Sequence, residues 1–168
     1  MTTDISDVTG WTRDALAWAR GPRIRELKAR EREVVLARNH VGRIAFIGDG
    51  RVEVLPVHYV YVDGAIVGRT SMGTKYLTWL VRNQVAFEVD ESESLFEWRS
   101  VIVRGTLSIL QSRGSEAERM AYRHAVAAIR TLVPAAFTER DPTPYRGFVF
   151  AIAPTETTGR IAVTHSEV

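Results

Sequence analysis

The stretch that decides the fold is RIAFIGDGRVEVLPVHYVYV, residues 43–62. β-branched, aromatic and other apolar residues fill both ends of it, and Gly48-Asp49-Gly50 stands between them. An Asp-Gly pair between two such runs is a strong signal for a tight hairpin turn. The stretch therefore predicts two antiparallel strands, residues 43–47 and 51–62. Pro56 interrupts the second run, and because proline has no N–H for a ladder, it predicts a sheet edge or a bulge at that point.

Similar signals continue on both sides of this hairpin. Asp63-Gly64 predicts a second tight turn, and apolar residues at steps of three and four predict helices. The further predicted strands are residues 65–70, 85–89, 101–110 (beginning near Trp98) and 148–152, with a short one at 161–163. The predicted helices lie in residues 1–38, 73–83 and 114–132, and residues 90–96 are predicted as a polar loop.

Short connections favour antiparallel pairing, because parallel strands need a crossover of a dozen or more residues. Six strands joined in this way commonly close into a ring, which removes their free edges. The predicted fold class is therefore mainly β (α+β), a six-stranded antiparallel β-barrel with flanking helices. The 168 residues contain no linker or repeat, so we expect a single domain over residues 1–168.

Composition excludes several classes of function. The chain has 22 basic and 20 acidic side chains, a net charge of +2 that gives no reason to expect a nucleic-acid partner. It has no cysteine, which excludes disulfides and iron–sulfur clusters, and its four histidines lack metal-ligand spacing, so no metal site is expected. No secretory signal and no apolar run long enough to span a membrane is present, so we expect a cytoplasmic protein.

One segment has the composition of a phosphate site. Residues 69–75 read RTSMGTK, at the end of a predicted strand and the start of a predicted helix. A phosphate monoester requires positive charge and several hydrogen-bond donors, which arginine, lysine, hydroxyls and a helix N-terminus supply. The segment lacks the spacing of a P-loop. The alternative interpretation is a solvated loop with ordinary capping residues.

Four segments in order resemble a known family. They are VGRIAF (41–46), RVEVLPV (51–57), RTSMGTK (69–75) and WRSVIVRG (98–105), and residues 148–160 are similar to its last strand. Together they resemble the pyridoxamine 5′-phosphate oxidase-like, FMN-binding split-barrel proteins. The resemblance implies a split β-barrel that works as a homodimer with FMN at the interface. It is to this broad family, since the basic substrate-binding signature of the oxidase itself is not placed at residues 158–165.

The resemblance also implies which residues contact FMN. The segment that holds the phosphate corresponds to Arg69, Thr70, Ser71, Thr74 and Lys75. Backbone groups of one strand would face the flavin ring edge, and the positions are Val54, Leu55, Pro56 and Val57. The alternative for that strand is an edge protected by its proline.

The start of another strand would approach the flavin, often from the partner subunit. Ser100 is the implied polar contact there and Trp98 the implied wall, whereas the alternative for Trp98 is a core residue. Gly105, further along, predicts a bulge or a close backbone approach. A histidine such as His58, between Val57 and Tyr59, is more often half-buried in a barrel wall than catalytic.

The function expected from the resemblance is a flavoprotein oxidoreductase. FMN would pass a hydride from NADPH or NADH to a small organic acceptor, and no side chain is assigned a catalytic role. Two alternatives remain open. One is a reductase of the same barrel that uses a deazaflavin, and the other is a nonenzymatic flavin- or haem-binding protein, for which His165 could serve as an axial ligand.

Overall fold

The computed structural model describes residues 22–73, 78–79 and 81–163. Within them the chain forms seven strands and two helices of ten or more residues, in the order β1, α1, β2, β3, β4, β5, β6, α2, β7. Residues 78, 79 and 81 are also helical, within the helix predicted at 73–83. The strands are β1 (Arg23–Glu26), β2 (Val41–Gly48), β3 (Arg51–Val62), β4 (Ala65–Thr70), β5 (Gln84–Ser94), β6 (Glu97–Leu110) and β7 (Phe148–Val163), and the helices are α1 (Ala29–Arg38) and α2 (Glu116–Leu132).

Six of the strands form a ring. The order β7-β4-β3-β2-β5-β6 returns to β7 because β6 and β7 also pair, and every pairing is antiparallel. The predicted fold class is thus confirmed. β1 adds a seventh strand outside the ring, where Arg23–Glu26 pairs with the far end of β7.

Both predicted Asp-Gly turns are present. Asp49 and Gly50 have φ values of 49° and 75°, and Asp63 and Gly64 have φ values of 49° and 78°. Two successive positive φ angles are the conformation that a two-residue hairpin of the type I′ class requires, and Asp-Gly adopts it at low cost. The β2–β3 and β3–β4 hairpins are therefore determined locally.

Three predicted elements differ from the structure. Residues 23–26 form β1, although they were predicted as part of an N-terminal helix; α1 alone retains the helical part, and residues 1–21 lie outside the described chain. Residues 90–94 continue β5, whereas a polar loop was predicted, because their backbone pairs with β6 from Glu97 to Ser100. The two separate strands predicted at 148–152 and 161–163 are one strand, β7.

Gly105 confirms the predicted close approach. A Cβ atom at this position would come within 2.3 Å of the Ala153 carbonyl oxygen, so only glycine fits. The β6–β7 register shifts between Arg104 and Gly105, which leaves Thr155 as the extra residue of a bulge in β7. This bulge lets the long strand bend and pair with β6 along its whole length.

The sheet separates two apolar cores. The larger one fills the ring, where Trp79 stacks edge-on against Phe46 and Phe150, and α1 contributes Val35 and Leu36. The smaller one lies outside the ring, where α2 packs over β4 and the first half of β7. Ser115 caps α2 through a reciprocal bond with Glu118, in agreement with the helix predicted there. No helix in the described residues is long and apolar enough to cross a membrane.

Candidate functional site

The first half of β3 has one unpaired edge. β2 pairs with β3 from Arg51 to His58, but β4 pairs only with Tyr59–Val62, so no described strand lies along the other edge before Tyr59. The Tyr59 N–H donates to the His40 carbonyl, on the β2 side. Because backbone groups alternate along a strand, those of Val54 and Pro56 point to the opposite, unpaired edge.

This geometry explains Pro56. Its nitrogen faces the edge where no ladder bond is formed, so the missing N–H costs nothing there. The β2–β3 register runs without a shift, so the predicted edge is confirmed and no bulge accompanies it. Among the described residues, no strand pairs with the Val54 N–H or with the carbonyl groups of Val54 and Pro56.

The side chains of β3 alternate between the two faces of the sheet. Val54 and Pro56 are exposed on the outer face, whereas Val57 is buried in the ring and Leu55 is half-buried against the same core. The predicted positions on this strand therefore divide into two outward and two inward residues. Only the outward pair has both its side chains and its free backbone groups accessible.

The predicted phosphate segment begins beside this edge. Continuing the β3–β4 register from Tyr59–Gly68 places Thr70 next to Val57. Thr70 is buried and Ser71 is half-buried. Thr74 and Lys75, the other two predicted phosphate contacts apart from Arg69, lie outside the described residues.

A cavity joins the two regions. It has a volume of about 420 Å³ and lies between the β2–β3 hairpin and the chain that follows β4. Leu55 lines one side of it and Gly73 the other, so the cavity adjoins both segments that were predicted to contact FMN. Its described lining includes two carboxylates and no cation, and the full described set is Phe46, Gly48, Asp49, Glu53, Leu55, Gly73 and Thr78.

Arg69 has partners that the sequence did not indicate. Its guanidinium donates to both carboxylate oxygens of Asp141 at 2.7 Å and also to the carbonyl and hydroxyl oxygens of Thr143. It stacks over the Phe137 ring, with 5.0 Å to the ring centroid. Both charged side chains are buried, at 6% and 4% exposure, and the Arg69 guanidinium holds the pKa of the Asp141 carboxyl well below its usual range.

The charge of Arg69 is therefore already balanced within the chain. The prediction that Arg69 contacts a flavin phosphate is untested and stays a prediction, and such a contact would compete with Asp141. Sequence analysis missed Asp141, and no local signal could have revealed it, since 72 residues separate the two partners.

Trp98 and Ser100 lie on another part of the outer face. They are half-buried residues of β6, opposite Ser92 and Asp90 of β5. Three interstrand spacings, about 14 Å, separate β6 from β3 through β5 and β2. One chain thus does not bring Trp98 and Ser100 together with Val54 and Pro56.

The outer face of β3, β2, β5 and β6 is not covered by any described element. We call it the uncovered face and define it by its exposed apolar residues, Val41, Ile47, Val52, Val54, Pro56 and Ile102. An ionic group lies in its middle, where Arg43 donates to Glu88 at 2.9 Å and also to Asp90. Burial raises the pKa of Glu88 even though Arg43 opposes that change.

Fold and site together define a small antiparallel split barrel with an open strand edge beside a cavity. The family model described as pyridoxamine 5′-phosphate oxidase matches residues 28–161, so the chain belongs to this family and the predicted resemblance is confirmed. No curated protein matches the sequence.

Solved structures agree with this assignment. A FAD-binding protein from Mesorhizobium loti is 27% identical with a TM-score of 0.67, and the alignment covers 83% of this chain and 99% of that one. A FAD-binding protein from Mycobacterium smegmatis is 24% identical with a TM-score of 0.60, covering 83% of this chain and all of that one. The second likeness concerns the fold alone.

Proposed function

We propose that this protein binds a flavin noncovalently along the unpaired edge of β3, with FMN as the cofactor. The observation that carries the proposal is the set of free backbone groups at Val54 and Pro56, next to the end of β4 and the 420 Å³ cavity. Family membership and the similarity to a FAD-binding protein support flavin binding, and the choice of FMN rests on the resemblance described above. The bound flavin would supply the redox chemistry, while the chain binds and orients it.

The residues present fit the polar edge of a flavin ring. That edge carries one N–H donor flanked by two carbonyl acceptors, and the open edge of β3 offers the Val54 N–H and the carbonyl groups of Val54 and Pro56. Such main-chain bonds to a strand edge also fix the plane of the ligand. The exposed side chains of Val54 and Pro56 provide apolar contact beside it.

The phosphate would be held by the segment after β4. Thr70, Ser71 and Thr74 supply hydroxyls in this proposal, and Lys75 supplies the charge. Lys75 would supply most of the positive charge that binds the phosphate, because Arg69 is paired with Asp141 and the described cavity lining is acidic.

We further propose a homodimer. A second copy on the uncovered face would bury its apolar residues and place its own Trp98 and Ser100 against the flavin of the first. The separation of about 14 Å between β6 and β3 within one chain supports this arrangement. A two-fold axis would then create two identical sites.

The proposed reaction is hydride transfer from NADPH or NADH through the flavin to a small organic acceptor. The chain's task is to hold the flavin with one face accessible, and no side chain needs to form a covalent intermediate. Vitamin B6 phosphate is not proposed as the substrate.

The absorption spectrum of the purified protein tests the cofactor. A two-band flavin spectrum supports the proposal, whereas a single deazaflavin band or a Soret band would replace it with one of the alternatives. Titration of flavin-free protein with FMN and with FAD then identifies the flavin, and equal or tighter binding of FAD would contradict the choice of FMN.

Lys75→Ala tests the phosphate segment. Losing a charge-assisted bond worth about 1.5–3 kcal/mol should weaken FMN binding roughly tenfold to a hundredfold. Lys28→Ala is the matched control, because Lys28 is the only other lysine and lies exposed before α1. An unchanged dissociation constant for Lys75→Ala would remove Lys75 from the site and would weaken the case for Arg69 with it.

A further inference from the structure

A second cavity lies next to His58, on the side of β3 that pairs with β4. Its volume is about 240 Å³, and it is an open cleft bounded by the outer faces of β3 and β4, the end of α2 and residues 142–146. The size is slightly below the usual range for ligand pockets, which limits an occupant to a small molecule and excludes a nucleotide. Of the residues that the sequence predicted to contact the flavin, Arg69 alone is among its described lining.

The walls of this cavity are mainly apolar. Val60 and Val67 form the sheet side, and Ile129, Leu132 and Val133 form the helix side. Such a surface favours binding of a ligand with a hydrocarbon or aromatic group, because the apolar surface of that group is removed from water on binding.

The polar groups of the cavity leave one unbalanced positive charge. The described lining contains Arg69 and Arg146 but no carboxylate. Asp141, just behind it, neutralises Arg69 through two hydrogen bonds. Among the described residues the Arg146 guanidinium has no carboxylate partner; it lies 5.9 Å from the centroid of the Tyr145 ring, and the residue is half-buried.

We propose that this cavity binds a small organic monoanion, an apolar body that carries one carboxylate. Arg146 pairs with the carboxylate, since a planar guanidinium matches its two oxygens. His58 stands at the exposed end as a further hydrogen-bonding group. The Arg69–Asp141 pair is neutral as a unit and holds residues 137–143 in place through the Asp141 bonds to the N–H groups of Phe137 and Thr143.

The location links this site to the flavin. His58 and Pro56 are successive outward residues of β3, about 7 Å apart along the strand. The monoanion would then be the acceptor that the flavin reduces, a role that rests on the proposed function. Binding of the anion itself does not depend on it.

Benzoate and benzamide are suitable probes, because they have nearly the same shape and differ in charge. Calorimetric titration of flavin-free protein should show saturable benzoate binding, with benzamide about tenfold to a hundredfold weaker. Arg146→Gln should reduce benzoate affinity to the level of benzamide. Arg113→Gln, an exposed arginine outside the cavity, should leave it unchanged.

Further results decide the proposal. Leu132→Trp, which narrows the cavity without changing charge, should weaken binding of both probes. Equal affinity for benzoate and benzamide, or an unchanged benzoate affinity in Arg146→Gln, would overturn the site, whatever the flavin titration gives. A flavin spectrum unaffected by saturating benzoate would overturn only the acceptor role.

Discussion

Val52→Lys tests the proposed dimer at the apolar end of the uncovered face, beside the β2–β3 turn. Val52 is 73% exposed and lies directly opposite Ile47, itself 51% exposed, in the β2–β3 hairpin. Neither residue has been assigned a flavin contact. A charge at this position leaves the hairpin turn and the ring core unchanged, so the isolated chain should still fold.

The expected loss of dimerisation free energy follows from the side-chain area of Val52 that a second copy would still bury. Complete burial of a valine side chain contributes roughly 1.5–3 kcal/mol, and about three-quarters of that is still available at Val52. Two-fold symmetry doubles the loss, so Val52→Lys should cost about 2–4 kcal/mol of dimerisation free energy. The dimer dissociation constant should then rise roughly 30-fold to 1,000-fold.

Sedimentation velocity over a range of micromolar concentrations measures this constant. Met120→Lys is the control, because Met120 is 58% exposed on α2, away from the uncovered face, and should leave the constant unchanged. The variant should also lose flavin as it dissociates, since Ser100 and Trp98 of the partner complete the site in our proposal. A monomeric wild type that retains flavin, or a Val52→Lys protein with unchanged dissociation, would refute the shared site.

Three other predictions concern the reaction and the fold. Anaerobic NADPH or NADH should bleach the bound flavin, and failure with both donors while dithionite still bleaches it would favour the nonenzymatic binding protein. The Arg25 side chain, and next the Lys28 N–H, lower the pKa of Glu31 to about 2. The stabilisation that ionised Glu31 contributes is therefore complete above the usual glutamate pKa and is lost as pH falls towards 2. The difference in Tm between wild type and Glu31→Gln should shrink over that range, and a constant difference would contradict this prediction. Tyr59→Phe removes the hydrogen bond that the buried hydroxyl donates to the Leu36 carbonyl at 2.8 Å, and urea unfolding should show a loss of about 1–2 kcal/mol with unchanged flavin affinity.

The candidate site could be predicted from sequence only in part. Pro56 indicated an edge because a missing N–H is tolerated only where no ladder bond is formed, and that reasoning needs no tertiary structure. The environment of Arg69 could not be predicted in this way. Its partner Asp141 lies in an irregular segment beyond α2, and nothing in the residues around either position identifies the other.

The sequence by itself determined the hairpins of this protein. Asp49-Gly50 and Asp63-Gly64 have the positive φ angles that an Asp-Gly pair adopts at low cost, and such turns favour pairing of the β-rich runs on each side. Only the tertiary structure decided how the ring closes, because β7 pairs with β4, β6 and β1, which lie far away in sequence. The same long-range pairing extends β5 through a charged stretch, since backbone hydrogen bonds to β6 do not require apolar side chains. It also leaves the edge of β3 open, because β4 pairs with β3 only from Tyr59 onward and its last two residues, Arg69 and Thr70, pair with β7 alone. That arrangement depends on the register of the whole sheet.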